Sequence, residues 1–239
     1  TNNFSLQQFR TIPLEARPVD MAVADLSNDG YADVVLALKT LQQVMLLQST
    51  GSKNIPFLQY DYKMTIEPEF ITTGDLNGDG YGDICALSYL DGRLHVLFGD
   101  RERKFDQRLV IDIPFFDDFF NLFIKGRNQP VVCADIDHDS MDELYLIQGG
   151  QEGFDAIYQY KLAYSPTGGW TCASDRLYLE NRGADFTEFK NIRALNFTDW
   201  DHDNKSDLML LIEDSARVFF YEEAAAKYCE LHHVVSLEE

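Results

Sequence analysis

Apolar and polar positions along the chain fall into a unit that occurs four times. A short apolar run leads into a nine-residue acidic stretch, and a second apolar run leads out. The lead-in runs are VDMAVA, EFITTG, PVVCA and RALNFT; the lead-out runs are VVLAL, ICAL, LYLI and LMLLI. Both sets are rich in residues that favour strands. A third run follows in each unit: QVMLLQ, RLHVLFG, AIYQYKLAY and RVFFYEE. The fourth is PFLQYDYKMTI, KFDQRLVIDI, GWTCASDRLYLEN and KYCELHHVVSLEE, mostly alternating in polarity as a half-exposed edge strand does. Each unit predicts four antiparallel strands, the blade of a β-propeller, and the fold class is all-β.

The acidic stretches set the period. They read DLSNDGYAD from Asp25, DLNGDGYGD from Asp75, DIDHDSMDE from Asp135 and DWDHDNKSD from Asp199, with spacings of 50, 60 and 64 between first aspartates. Repeats of this length are supersecondary units that bury their faces only against neighbours. Blades are expected at about 18–66, 67–114, 128–181 and 190–239 of one propeller domain.

Each stretch connects the first and second strands of its blade. Acids at its first, third, fifth and ninth positions, with the backbone carbonyl of the seventh, can converge on one cation, giving the oxygen-rich shell that calcium prefers. Glycine at the sixth position, Gly30 and Gly80, permits the bend. The helix-loop-helix calcium site needs a bidentate Glu at position twelve. Leu36, Ala86, Leu146 and Leu210 stand there instead, so that site is excluded and the ninth acid takes the closing role. Magnesium suits a flexible chain-built cage less well. A transition metal would recruit His or Cys, but His138 and His202 sit at the outward-pointing fourth position.

Composition agrees with this reading. The 239 residues are 45% hydrophobic and carry a formal charge of -20, which argues against nucleic acid or an anionic membrane as partner and for a cation. No apolar run approaches the roughly 18 residues of a membrane helix, and TNNFSLQQFR lacks the start of a signal peptide. Cys85 and Cys133 lie in apolar runs and read as small buried hydrophobes; a bridge between Cys172 and Cys229 is the alternative use of the other two.

The four loops with their flanking strands resemble the FG-GAP (VCBS) repeats of the integrin α-subunit N-terminal propeller and its bacterial relatives, and LHVLFGD at Leu94 to Asp100 resembles the Phe-Gly part of that motif. The resemblance implies up to four calcium ions. The implied ligands of the first loop are Asp25, Ser27, Asp29, the Tyr31 carbonyl and Asp33. In the second they are Asp75, Asn77, Asp79, the Tyr81 carbonyl and Asp83. The third offers Asp135, Asp137, Asp139, the Met141 carbonyl and Glu143, and the fourth Asp199, Asp201, Asp203, the Lys205 carbonyl and Asp207. Ser140 and Asn204 replace the sixth-position glycine. Ser tolerates a left-handed backbone less well than Asn, so the third site is expected to be the weakened one. Four calcium ions would bring the charge from -20 to -12.

Two segments fall outside the blade pattern. FSLQQFRTI, within 1–12, resembles another fourth strand; it fits a four-bladed ring that it helps to close, or a piece of a larger propeller such as a seven-bladed one. The stretch 115–127 is an aromatic insertion, and Phe115, Phe116, Phe119, Phe120 and Phe123 are either a partner surface or packing against a blade.

No nucleophile elbow, phosphate-binding glycine loop or zinc spacing is present, and His95, His232 and His233 read as packing or surface residues. The expectation is a non-catalytic interaction or adhesion module with structural calcium, outside the cell, at its surface or in the periplasm. Its partner would be a protein or glycan, with no nucleic acid and no membrane insertion, and an oligomer is possible if the ring is incomplete. The alternative is a carbohydrate-binding module or the propeller part of a carbohydrate-active enzyme.

Overall fold

The structure is a computed structural model that describes residues 11–52, 54–102, 104–113, 130–149, 154–177, 179–181, 184–186, 189–190, 192–212, 215–222, 227–230 and 235–236. The aromatic insertion with Phe115, Phe116, Phe119, Phe120 and Phe123 lies outside the described residues. So do His232, His233 and most of the N-terminal strand-like run.

The first sheet contains β1 (Asp20–Ala24), β2 (Asp33–Leu38), β3 (Gln43–Ser49) and β4 (Phe57–Lys63) in that order. The second repeats the plan with β5 (Phe70–Gly74), β6 (Asp83–Ser88), β7 (Arg93–Phe98) and β8 (Gln107–Asp112). The third is β9 (Val131–Ala134), β10 (Glu143–Gly149), β11 (Phe154–Ser165) and β12 (Gly169–Arg176). Three short strands follow, β13 (Leu179–Asn181), β14 (Ala184–Phe186) and β15 (Phe189–Lys190). The fourth sheet is then built on β16 (Ile192–Thr198), β17 (Asp207–Ile212), β18 (Ser215–Glu222) and β19 (Lys227–Glu230), with β20 (Val235–Ser236) also pairing β18. The four-strand meander of every blade is antiparallel, with Ala24 opposite Asp33, Gly74 opposite Asp83, Ala134 opposite Glu143 and Thr198 opposite Asp207. Each acidic stretch therefore closes the same hairpin. The helical content among the described residues is one 3-10 turn at Lys39–Leu41, and no helix there is long and apolar enough to cross a membrane.

The run GWTCASDRLYLEN, one strand by its sequence pattern, divides between two sheets. β12 ends at Arg176, and β13 pairs in parallel with β19 of the fourth sheet. Leu179 is buried in the core between the third and fourth blades, and that burial draws the chain across.

Blades pack through alternate residues of their strands. Val35, Ala37, Val44 and Leu46 of the first blade meet Ile71, Ile84, Ala86 and Leu97 of the second. The opposite face of the second blade, with Cys85, Leu87, Leu94 and Val96, meets Val131, Leu144 and Leu146 of the third. Tyr145, Ile147 and Ile157 of the third meet Leu195, Leu208 and Leu210 of the fourth. Period two along each strand sends successive side chains into successive cores. The innermost strands follow the same succession, with β1 beside β5, β5 beside β9 and β9 beside β16.

The leading face of the first blade is different. Ile71, Val131 and Leu195, each four residues before its loop, are 6%, 1% and 1% exposed against the preceding blade, whereas Met21 at the same register is 62% exposed. The outer part of that face, Leu36, Leu38, Met45 and Leu47, is packed by Ile12 and Leu14. At the far end, Leu26, Leu76 and Ile136, second in their loops, are buried in the cores with the following blade, while Trp200 is 56% exposed. Among the described residues, the packing that joins neighbouring blades is not repeated at these two places.

Cys85, Cys133 and Cys172 carry free thiols, and burial pushes Cys172 up to about 11 and Cys85 well above its ordinary value. The side chain of Cys229 lies outside the described residues, as does the bridge expected to use it.

Candidate functional site

The four loops share one backbone path. Their fourth residues, Asn28, Gly78, His138 and His202, have φ of 53, 71, 58 and 63°, and their sixth, Gly30, Gly80, Ser140 and Asn204, have φ of 86, 84, 71 and 66°. Left-handed backbone at both positions curls each stretch tightly. Ser140 takes that conformation, so a missing glycine does not make the third loop different in path. The fourth-position requirement was legible in the residue types, since Asn, Gly and His are enriched in left-handed backbone. His138 and His202 are solvent-exposed, as their position predicts.

The curl is held by carboxylates accepting from backbone N–H groups. The first-position acid accepts from the fifth and sixth residues: Asp25 from Asp29 and Gly30 at 3.0 and 2.7 Å, and Asp75 from Asp79 and Gly80 at 3.1 and 2.8 Å. Asp135 accepts from Asp139 and Ser140, and Asp199 from Asp203 and Asn204. The fifth-position acid accepts from the seventh residue at 2.9 Å every time: Asp29 from Tyr31, Asp79 from Tyr81, Asp139 from Met141 and Asp203 from Lys205. Local side-chain bonds of this kind favour a turn over strand continuation. At Asp25 burial pushes the carboxyl up, but the N–H groups of Gly30, Asp29, Ser27 and Asn28 outweigh it and hold it below the ordinary value.

The ninth-position acid has a role that pattern reading missed. Asp33, Asp83, Glu143 and Asp207 are all buried, and each accepts from the N–H of its loop's second residue: Leu26 at 3.3 Å, Leu76 at 2.9 Å, Ile136 at 3.4 Å and Trp200 at 2.9 Å. In three blades the other carboxylate oxygen accepts from the third strand or its end, from Ser49 at 2.7 Å, Gly99 at 2.8 Å and Tyr221 at 3.2 Å. This acid is thus a strut between loop and sheet. Burial, partly offset by the Gly99 and Leu76 N–H groups and reinforced by Asp79 and Asp75, pushes Asp83 up to about 8.

In each of the last two loops three carboxylates converge. One oxygen each of Asp135, Asp137 and Asp139, and likewise of Asp199, Asp201 and Asp207, lie within 4.8 Å of one another. In the first loop the Oγ of Ser27, third in its stretch, is buried with no hydrogen-bond partner. A buried hydroxyl in that state is costly unless its O–H finds an acceptor or its oxygen finds a donor or a cation. A hard cation among Asp25, Ser27, Asp29 and Asp33 would do so, and these donors are the oxygen set that calcium takes. In the second loop Asn77 turns inward on Asp79, its Oδ1 accepting from the Asp79 N–H at 3.0 Å and its Nδ2 donating to Oδ2 at 3.1 Å.

Adjacent loops touch. The Gly82 N–H donates to the Leu26 carbonyl at 3.0 Å, and a Cβ at Gly82 would lie 2.6 Å from Leu26 Cδ2, so glycine there is a matter of space. A cleft of about 330 Å³ opens between the first two loops, lined in part by Asp25, Asn28, Asp75 and Tyr81. His95 is buried, its Nε2 3.3 Å from Thr65 Oγ1, and burial holds its pKa below the ordinary value; it is a packing residue.

No family model and no curated protein sequence matches this chain. Solved structures do. A putative 6-phosphogluconolactonase from Bacteroides uniformis is 13% identical, with TM-score 0.52 over 92% of this chain and 55% of that one. Another from Bacteroides fragilis is 10% identical, with TM-score 0.53 over 91% of this chain and 55% of that one. This chain spans a little over half the length of each. At such identities the likeness shows the fold alone, and together with the four meanders it establishes an all-β propeller architecture, with four blades among the described residues.

Proposed function

We propose that the chain is a calcium-binding propeller of the FG-GAP type, in which the ions are structural and the face that carries the loops binds a partner. The observation that carries this reading is one backbone path repeated in four loops, each turning its first-position carboxylate onto the same curl. The buried, unpartnered Ser27 Oγ supports it. Calcium would be held by the first-, third-, fifth- and ninth-position residues, drawing the first two strands of a blade together around the ion. Clustered carboxylates would otherwise repel one another. The partner, a protein or glycan, would meet the loop face, where the cleft between the first two loops offers concave surface. A role in adhesion outside the cell would match the calcium available there. Melting followed by calorimetry with calcium and with excess EDTA tests the reading: the expected result is a lower melting temperature in EDTA, and an unchanged one overturns it.

A second reading is sugar handling, by a binding module or an enzyme. Trp200, exposed as the second residue of the fourth loop, has the flat apolar surface on which a sugar ring stacks, and the names of the two solved neighbours point the same way. Binding and turnover on a panel of polysaccharides and sugar lactones, with Trp200→Ala as control, separates the two: saturable binding lost in that variant favours sugar.

A further inference from the structure

We infer that the third loop carries its own cation, the ammonium of Lys161, and takes no divalent ion; this rests on reading the other three loops as calcium sites. Lys161 lies on β11, and its Nζ donates to Asp137 Oδ2 and stands 3.2 Å from Glu143 Oε1. It therefore joins the third and ninth positions of DIDHDSMDE, two of the side chains that a calcium ion would need.

The register shows that a base at this strand position is specific to one blade, whereas Lys205, 3.6 Å from Asp203 Oδ2, belongs to the fourth loop itself. Leu144 pairs with Tyr160, and Lys161 follows. The matching pairs are Val34 with Leu47, Ile84 with Leu97 and Leu208 with Phe219, so the matching residues are Gln48, Phe98 and Phe220. None carries charge. The ninth residue changes in the same blade. Asp33, Asp83 and Asp207 spend their second oxygen on a backbone N–H at the third strand or its end, while Glu143, one methylene longer, offers that oxygen to Lys161. The longer acid and the base are a matched pair that replaces a backbone strut by an ion pair.

Charge explains the exchange. The third loop holds Asp135, Asp137, Asp139, Asp142 and Glu143, the most acidic of the four stretches. An ammonium has three donors and bridges two carboxylates readily. Tethered to its strand, it competes with any free ion from within the fold. With Asp137 Oδ2 and Glu143 Oε1 held by the ammonium, two of the four side chains that would surround an ion already face a positive charge, which repels a divalent ion and withdraws oxygens from its shell of six to eight.

Calcium counting by native mass spectrometry and hydrogen exchange at each loop, on the full chain, test this. Three bound ions are expected. Exchange in 25–33, 75–83 and 199–207 slows with calcium, and exchange in 135–143 is the same with calcium and with EDTA. In Lys161→Met a fourth ion binds and 135–143 becomes calcium-dependent, while Lys161→Arg behaves as the parent. Calcium protection of 135–143 in the parent overturns the inference, as does indifference to calcium in Lys161→Met when the other loops respond. If no loop of the parent responds, the calcium reading itself has failed. The Lys161 assignment is then decided in EDTA, where Lys161→Met must speed exchange in 135–143; unchanged exchange there overturns it.

Discussion

Asp142 and Asp75 hold each other by two reciprocal hydrogen bonds. The Asp75 N–H donates to Asp142 Oδ2 at 2.7 Å, and the Asp142 N–H donates to the Asp75 carbonyl at 2.7 Å. Asp142 is eighth in the third stretch and Asp75 first in the second, so this pair fastens two loops across a blade boundary. Burial raises the Asp142 carboxyl above its ordinary value, with Asp135 and Asp75 adding repulsion against the favourable N–H bonds.

Asp142→Ala leaves a donor without its acceptor at that boundary and is expected to cost about 1–3 kcal/mol in urea unfolding. Asp142→Asn keeps an acceptor oxygen and sheds the charge, so its loss should be smaller. An alanine variant as stable as the parent would show that the bond is dispensable.

Ser27→Ala separates structural from ion-binding roles in the first loop. In EDTA the variant should match or exceed the parent, since it removes a buried hydroxyl without a partner, a gain of up to about 1 kcal/mol. With calcium its advantage should disappear and affinity at the first loop should fall. Equal affinity measured by calorimetric titration would remove Ser27 from the ligand set.

The raised Asp83 gives the metal-free protein a pH dependence of definite sign. Between the ordinary value of 3.8 and about 8, the unfolded chain releases this proton while the folded chain keeps it. Its contribution to stability is therefore present at low pH and declines as pH rises through that window, by at most about 1.4 kcal/mol per unit for one proton. Urea unfolding in EDTA should show this component in the parent and lack it in Asp83→Asn. Calcium, by favouring the ionised carboxylate, should flatten it.

Positions of one register should differ in tolerance according to what faces them. Met21→Asp is expected to change stability by less than about 0.5 kcal/mol, because the side chain already meets solvent. Val131→Asp puts a charge into the core between the second and third blades, and should cost more than about 4 kcal/mol or prevent folding. A large loss at Met21, measured by thermal unfolding, would mean that its face is covered in solution.

Much of the blade plan was legible in the sequence because it is local. Short apolar runs rich in strand-forming residues placed β2, β6, β10 and β17 at the ends of their acidic stretches, and the residue types at the fourth and sixth loop positions, Ser140 apart, are those that accept left-handed backbone. The crossing of Leu179 into the fourth sheet was not legible, because a strand's own pattern does not say which sheet offers it an empty edge.

The same division runs through the loops. The sequence alone determined where the carboxylates fall and that they recur in phase, since spacing along a curled chain is fixed by covalent geometry. Only the tertiary structure decided what those carboxylates meet: backbone N–H groups for Asp33, Asp83 and Asp207, a neighbouring loop for Asp142, and the Lys161 ammonium for Asp137 and Glu143. Lys161 is 18 residues beyond Glu143 in the chain and reaches it because β10 and β11 pair in one register, which no single stretch of sequence records.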